Sequence, residues 1–153
     1  MNYWLFKSEP DEYSLQDLAA EPDRTGRWDG IRNYQARNFL RDRVREGDGV
    51  LFYHSACRVP AVVGTAVVVR EAYPDPAQFD PESVYFDPKA TQEKPRWFCV
   101  DIRWQGEFAR PVPLATIKAD PDLQEMVLVK QGRLSVQPVA AGEWRHLLRM
   151  GRG

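Results

Sequence analysis

The sequence predicts an α+β fold, either a small mixed β-barrel or an α+β domain. Three observations carry that prediction. Short apolar runs separated by turn residues recur along the chain, as expected of many short strands. Residues 97–104 alternate cleanly, with Phe98, Val100, Ile102 and Trp104 on one face and Trp97, Cys99, Asp101 and Arg103 on the other. A few segments between the strands repeat their apolar residues at helical spacing. At 153 residues the chain suits one domain, spanning 1–153, with one core.

The elements follow in order. Tyr3–Lys7 reads as an aromatic-rich first strand. Ser14 can cap the amide of Asp17, which starts a short helix with Leu15 and Leu18 facing inward. Residues 21–30 read as a loop containing Pro and Gly. A helix starts near Asn33, a good cap, with Ala36, Phe39, Leu40 and Val44 as its buried stripe. The turn at 46–49 leads into a strand at Val50–Ser55, and a second strand covers 61–70. Residues 74–83 are too proline-rich to be regular. Residues 114–119 and 122–127 read as short helices and Ser135–Pro138 as a short strand. Ala141–Met150 is the final helix, ended by Gly151.

Bulk properties narrow the function. Formal net charge is −1, so no global field recruits a polyanion and phosphate contacts must come from local clusters. The longest apolar run, 61–69, is about half a membrane span, and MNYWLFKSEP lacks the pattern of a signal peptide. Two cysteines far apart in sequence favour reduced thiols in the cytoplasm. With two histidines and two cysteines, no structural metal site is expected. Neither a cofactor nor a membrane partner is expected, and the chain reads as a monomer.

WDGIRNYQARNF at 28–39 is dense in planar hydrogen-bonding and stacking groups. Recognition of an unpaired base needs a flat apolar wall and a few donors and acceptors for its edge. Trp28 supplies such a wall or caps the barrel. Trp97 does the same or joins a second small core against a helix. Asn33 and Gln35 offer paired donors and acceptors, although capping can occupy Asn33. Tyr34 and Arg37, three apart, share a helix face, where Arg37 holds a phosphate, stacks on a base or is simply solvated. Lys7 and Glu9 point the same way, as ligand groups or a surface pair. His54 shares a face with Val50 and Phe52, the place of a core histidine more often than a ligand group. Ser55 points to the opposite face, so the two make a poor serine–histidine pair. Arg133 and Ser135 share a face of phosphate-binding character. Asp87 and Lys89 lie in an irregular loop that can close over a ligand or leave Lys89 a solvated charge.

Six segments in order resemble the EVE domain: KSEP at 7–10, WDGIRNYQARNF at 28–39, GVLFYHS at 49–55, YFDPKAT at 85–91, PRWFCVDI at 95–102 and RLSVQPV at 133–139. They cover nearly the whole chain. The resemblance implies a PUA-like small mixed β-barrel with peripheral helices, related to the YTH readers of methylated adenosine. It also implies binding of a modified base in DNA or RNA, with Ser8 of KSEP among the base-binding residues. The chain lacks a basic N-terminal tail of the eukaryotic kind, which favours a bacterial, stand-alone version.

The expected function is a nucleic-acid-binding module that holds a modified, unpaired or flipped-out base in an aromatic pocket walled by Trp28 and Trp97. Phosphate contact is expected through Arg37, Lys89 and Arg133, and edge selectivity through groups such as Asn33, Ser55 and Ser135. The alternative is a hydrolase acting on a modified nucleoside, since ASCH-type relatives use a lysine and a glutamate. Lys7 and Glu9 keep that option open, while no Gly-framed nucleophile, metal cluster or phosphate-cradling loop supports it. A protein-interaction adaptor is a third possibility, and it requires an exposed apolar patch.

Overall fold

The computed structural model describes residues 1–152. Six strands form one sheet: β1 (Tyr3–Ser8), β2 (Thr25–Trp28), β3 (Gly49–His54), β4 (Ala61–Pro74), β5 (Phe98–Pro113) and β6 (Val136–Val139). Their order is β2-β5-β4-β3-β1-β6, antiparallel throughout except where β1 runs parallel to β3. The crossover from β1 to β3 carries α1 (Leu15–Ala19), β2 and α2 (Tyr34–Asp42). The helices α3 (Leu114–Ala119), α4 (Val127–Lys130) and α5 (Ala141–Gly151) follow β5 and flank β6.

The sheet curls into a barrel. In a flat sheet β2 and β1 would lie four strand spacings apart, roughly 19 Å. The Trp28 ring instead sits 5.3 Å from Phe6 of β1 and 5.3 Å from Phe52 of β3. The edge strand β2 is thus drawn across the interior to β1 and β3.

That interior holds Trp4, Phe6, Val50, Phe52, Val100 and Ile102, closed by Leu15 and Leu18 of α1 and Ala36 and Leu40 of α2. The outer face carries a second core, where Leu5, Leu51, Tyr53 and Val112 meet Ile117, Leu128 and Leu147. Strands buried on both faces read as apolar at every position, which is why YWLF and VLFY lack alternation. Ser14 caps α1 at the amide of Asp17, whose carboxylate accepts the Ser14 amide in return. Asn33 caps α2 at the amide of Ala36, and Ala36, Leu40 and Val44 are fully buried.

Several elements depart from the sequence expectation. The loop expected at 21–30 contains β2, which pairs Gly26 with Ile102 and Trp28 with Val100. TGRW has little strand propensity of its own, so tertiary pairing decides. A side chain at Gly26 would collide with Tyr13, only 2.4 Å from the site of a Cβ. β4 and β5 run well past residues 70 and 104, because register shifts between them break the alternation that marks a strand. The expected two-faced pattern at 97–104 is absent because both faces are covered: Trp97 and Cys99 are buried as well as Val100 and Ile102. The helix expected at 122–127 is a turn at Pro121–Leu123 followed by α4. Gly151 lies inside α5 rather than after it, where a Cβ would meet the Phe108 ring at 2.4 Å.

Candidate nucleic-acid interface

A cavity of about 610 Å3 opens between the end of β1, the edge strand β2 and the segment leading into the other edge strand, β6. Sheet hydrogen bonds gather its walls. Lys7 N–H donates to the Ser135 carbonyl and Ser55 N–H to the Ser8 carbonyl, both at 2.9 Å. Residues distant in sequence therefore line one site: Lys7, Ser8, Glu9, Ser55, Arg133 and Ser135, with Trp28 among them.

Trp28 is 5% exposed, and its indole belongs to the interior core. Its Nε1 has no hydrogen-bond partner among the described residues, and neither does the hydroxyl of Tyr13, which also lines the cavity. A buried polar group without a partner costs about 1–3 kcal/mol. Both atoms lie beneath the cavity surface, with almost no accessible area of their own. Burial, and then the charges of Glu21, Asp17 and Asp29, push the Tyr13 phenol up to about 12, so it keeps its proton at neutral pH.

The opposite rim is set by a turn. Gly30 has φ +75°, and its bare Cα faces the Tyr85 ring, 3.0 Å from where a Cβ would stand. The fully buried Asp75 fixes this turn, accepting from Gly30 N–H at 2.9 Å, Arg32 Nη1 at 3.0 Å and Ala77 N–H at 2.9 Å. Arg32 also donates twice to the Tyr85 carbonyl, at 3.2 and 2.9 Å, and so holds that aromatic residue at the cavity.

The charged groups divide by function. Lys7 Nζ donates to the Gly132 carbonyl, and burial lowers its pKa. Ser8 Oγ donates to the Tyr13 carbonyl at 2.7 Å. Arg133 is exposed and its side chain makes no hydrogen bond or ion pair among the described residues, which leaves it available for a phosphate. At the mouth, desolvation and then the charge of Asp75 hold the Asp29 carboxyl above its ordinary value. A carboxylate there can accept from an exocyclic amino group.

The family model described as the EVE domain matches residues 2–150. The chain belongs to the EVE domain family. It is 40% identical to thymocyte nuclear protein 1 of Danio rerio over 95% of this chain and 70% of that protein. A hypothetical protein from Leishmania major is 48% identical, with TM-score 0.93 over 99% of this chain and 94% of that one. The crystal structure of human THYN1 protein in complex with 5-methylcytosine-containing DNA is 37% identical, with TM-score 0.95 over 100% and 99% of the two chains. A YTH domain of Zygosaccharomyces rouxii, 15% identical with TM-score 0.54 over 99% of this chain and 86% of that one, shares the fold alone.

This EVE domain separates the two tryptophans that the sequence reading had joined. Trp97 does not line the cavity: its ring stacks on Tyr34 at 4.9 Å, and its Nε1 donates to Asp87 Oδ2 at 2.7 Å. Arg37 lies 4.8 Å from the Tyr34 ring and donates to the Arg96 carbonyl at 3.0 Å, so it braces this stack. The Trp97 hydrogen bond, followed by the Lys89 amide, holds the Asp87 carboxyl below its ordinary value. Lys89 itself is an exposed loop charge. Asn33 spends its side-chain oxygen on the cap and borders a smaller cavity of about 320 Å3, which Arg133 and Gly132 share with the main one. His54 is structural: its Nε2 accepts the Leu15 amide at 3.1 Å and its ring meets Phe52 edge-on.

Sequence reasoning missed Tyr13, Asp29 and Tyr85. Asp29 and Tyr85 lie inside the segments that carry the family resemblance, whereas Tyr13 carries no local signal. Asp120, Asp122 and His146 bring ligand atoms within 4.8 Å of one another, outside the cavity lining, and His146 Nε2 is already 2.7 Å from Asp120 Oδ2. No helix among the described residues is long and apolar enough to cross a membrane.

Proposed function

We propose that this EVE domain binds nucleic acid by holding one modified, unpaired or flipped-out base in the cavity beside Trp28. The observation that carries this reading is the Trp28 indole, an aromatic group in the wall of a cavity with ample room for one base. The complex of the human THYN1 protein with 5-methylcytosine-containing DNA supports the same reading. Tyr85 forms the second aromatic flank. Asp29, Ser55 and Ser135 read the base edge, and Arg133 meets a flanking phosphate. The free thiols of Cys57 and Cys99 support a reducing, cytoplasmic setting.

The test is a titration with single-stranded oligonucleotides that differ only in one 5-methylcytosine. One added methyl in an apolar contact contributes about 0.8 kcal/mol, or roughly fourfold in affinity. A larger preference therefore requires the polar edge groups, and Ser135→Ala is expected to flatten it. Absence of binding to either strand sinks the reading. Incubation with acetylated cytidine and mass detection of cytidine tests the hydrolase alternative, and no turnover is expected.

A further inference from the structure

Val84 is 91% exposed, and the adjacent Tyr85 and Phe86 are 38% and 39% exposed. Neither Val84 nor Phe86 belongs to either core. Val84 and Phe86 thus place apolar surface at a loop tip outside both cores, and such a patch marks a contact with something else. Its position is specific, since Tyr85 lines the cavity and packs on Gly30.

The tip is also held in place. The Tyr85 amide donates to Ser83 Oγ at 3.0 Å and the Phe86 amide to the Ser83 carbonyl at 3.1 Å. Arg32 grips the Tyr85 carbonyl. The fully buried Gln78 accepts the Asp87 amide at its backbone carbonyl and the Trp97 amide at its side chain, and it donates to the Asp75 and Trp97 carbonyls. A fixed apolar tip loses little entropy when it is inserted into a partner. Lys89 and Arg133 add exposed positive charge on the loop and at the cavity. Apolar tip, a cavity with room for a base and flanking cations together fit one partner: the stacked bases of duplex DNA.

We propose that Val84 and Phe86 act as a wedge, entering the base stack of duplex DNA and filling the gap left when the target base turns into the cavity. The inference rests on the base-binding reading above. Extruding a base sacrifices stacking and pairing that a single strand does not have to give up. Apolar side chains inserted at base steps stabilise such openings. The wedge therefore matters for duplex and not for single strand, which makes it separable from the cavity.

The experiment uses the full chain and matched single-stranded and duplex oligonucleotides carrying one 5-methylcytosine. A neighbouring 2-aminopurine brightens when its stacking is broken. The wild-type protein is expected to bind both forms and to raise the duplex fluorescence. The double variant Val84→Ser, Phe86→Ser changes only exposed positions. It is expected to bind single strand within about twofold of wild type, to bind duplex about tenfold more weakly, and to lose the fluorescence rise. Phe86→Leu, still apolar, is expected to retain duplex binding. An unchanged ratio of duplex to single-strand affinity in the double variant overturns the wedge and points to a protein partner for the patch. Wild-type binding to single strand but not duplex overturns the wedge alone. Binding to neither removes the base-binding reading and the wedge with it.

Discussion

Trp28 and Trp97 are both almost fully buried, yet they stand in opposite chemical situations. Trp97 is complete: its N–H is donated to Asp87, and its ring is covered by Tyr34 and approached by Arg32 at 5.4 Å and Arg37 at 5.9 Å. Trp28 packs on Phe6 and Phe52 as firmly, but its N–H is left without a partner beside a cavity. Burial alone does not separate the two indoles; hydrogen-bond satisfaction does. Arg32 and Asp75 connect the regions, because their contacts run from the Gly30 turn to Tyr85 and Trp97.

The largest expected effect is at that connection. Asp75→Ala leaves Arg32 without its carboxylate and strips the Gly30 and Ala77 amides of their acceptor. Breaking a buried pair in this way costs about 3–5 kcal/mol. Urea denaturation measures it, and a cost under about 1 kcal/mol would show that the two regions are independent.

The contrast itself is tested by a matched pair of variants. Trp28→Phe removes the unpartnered N–H and part of the aromatic surface, and is expected to weaken single-strand binding about tenfold. Trp97→Phe removes one of the donors to Asp87, which keeps the Lys89 amide and Arg96, and is expected to lower stability by about 1 kcal/mol while leaving that affinity within about twofold. Fluorescence anisotropy and thermal melting, run on both variants, give the two readouts. Equal losses of affinity would dissolve the distinction.

Acid sharpens it further. Burial holds His54 below the ordinary imidazole value of 6.5, against the smaller opposing effect of Asp17. The folded state takes up that proton less readily than the unfolded chain. Stability is therefore full above pH 6.5 and declines as pH falls through the lowered value. Protonation also removes the acceptor for the Leu15 amide at the start of α1, beside Tyr13 and the cavity. Denaturation midpoints should fall from neutral to mildly acidic pH, and His54→Gln, which keeps an acceptor, should flatten the trend. The smallest effect is expected at Arg133. Its replacement by Ala should reduce the slope of log affinity against log salt by about one and leave base preference unchanged. An unaltered slope would remove Arg133 from the phosphate contact.

Local chemistry was legible in the sequence. Ser14 and Asn33 cap the helices they were expected to cap, Tyr34 and Arg37 share a face, and the half-buried His54 meets Phe52 edge-on. These outcomes depend on groups within about four residues of one another, or on strand alternation. Lys7, Ser8, Glu9, Ser55, Arg133 and Ser135, each singled out from its own segment, line one cavity, although nothing in their spacing shows that β1, β3 and β6 gather them. The partnership of Trp28 with Trp97 failed for a different reason. β2 is a strand only because β5 pairs with it, and the sheet must curl before Trp28 reaches Phe6.

The sequence by itself thus determined the helix starts, the apolar strands and membership of the EVE family, because caps, periodicity and ordered motifs are carried by the chain itself. Tertiary structure alone decided which indole keeps an open hydrogen bond, where Tyr13 and Tyr85 stand, and which arginines are spent on carbonyls. Those outcomes depend on which distant atoms arrive within about 3 Å. Strand register and barrel closure set those distances, and in this chain the register shifts between β4 and β5 hide them from any repeating pattern.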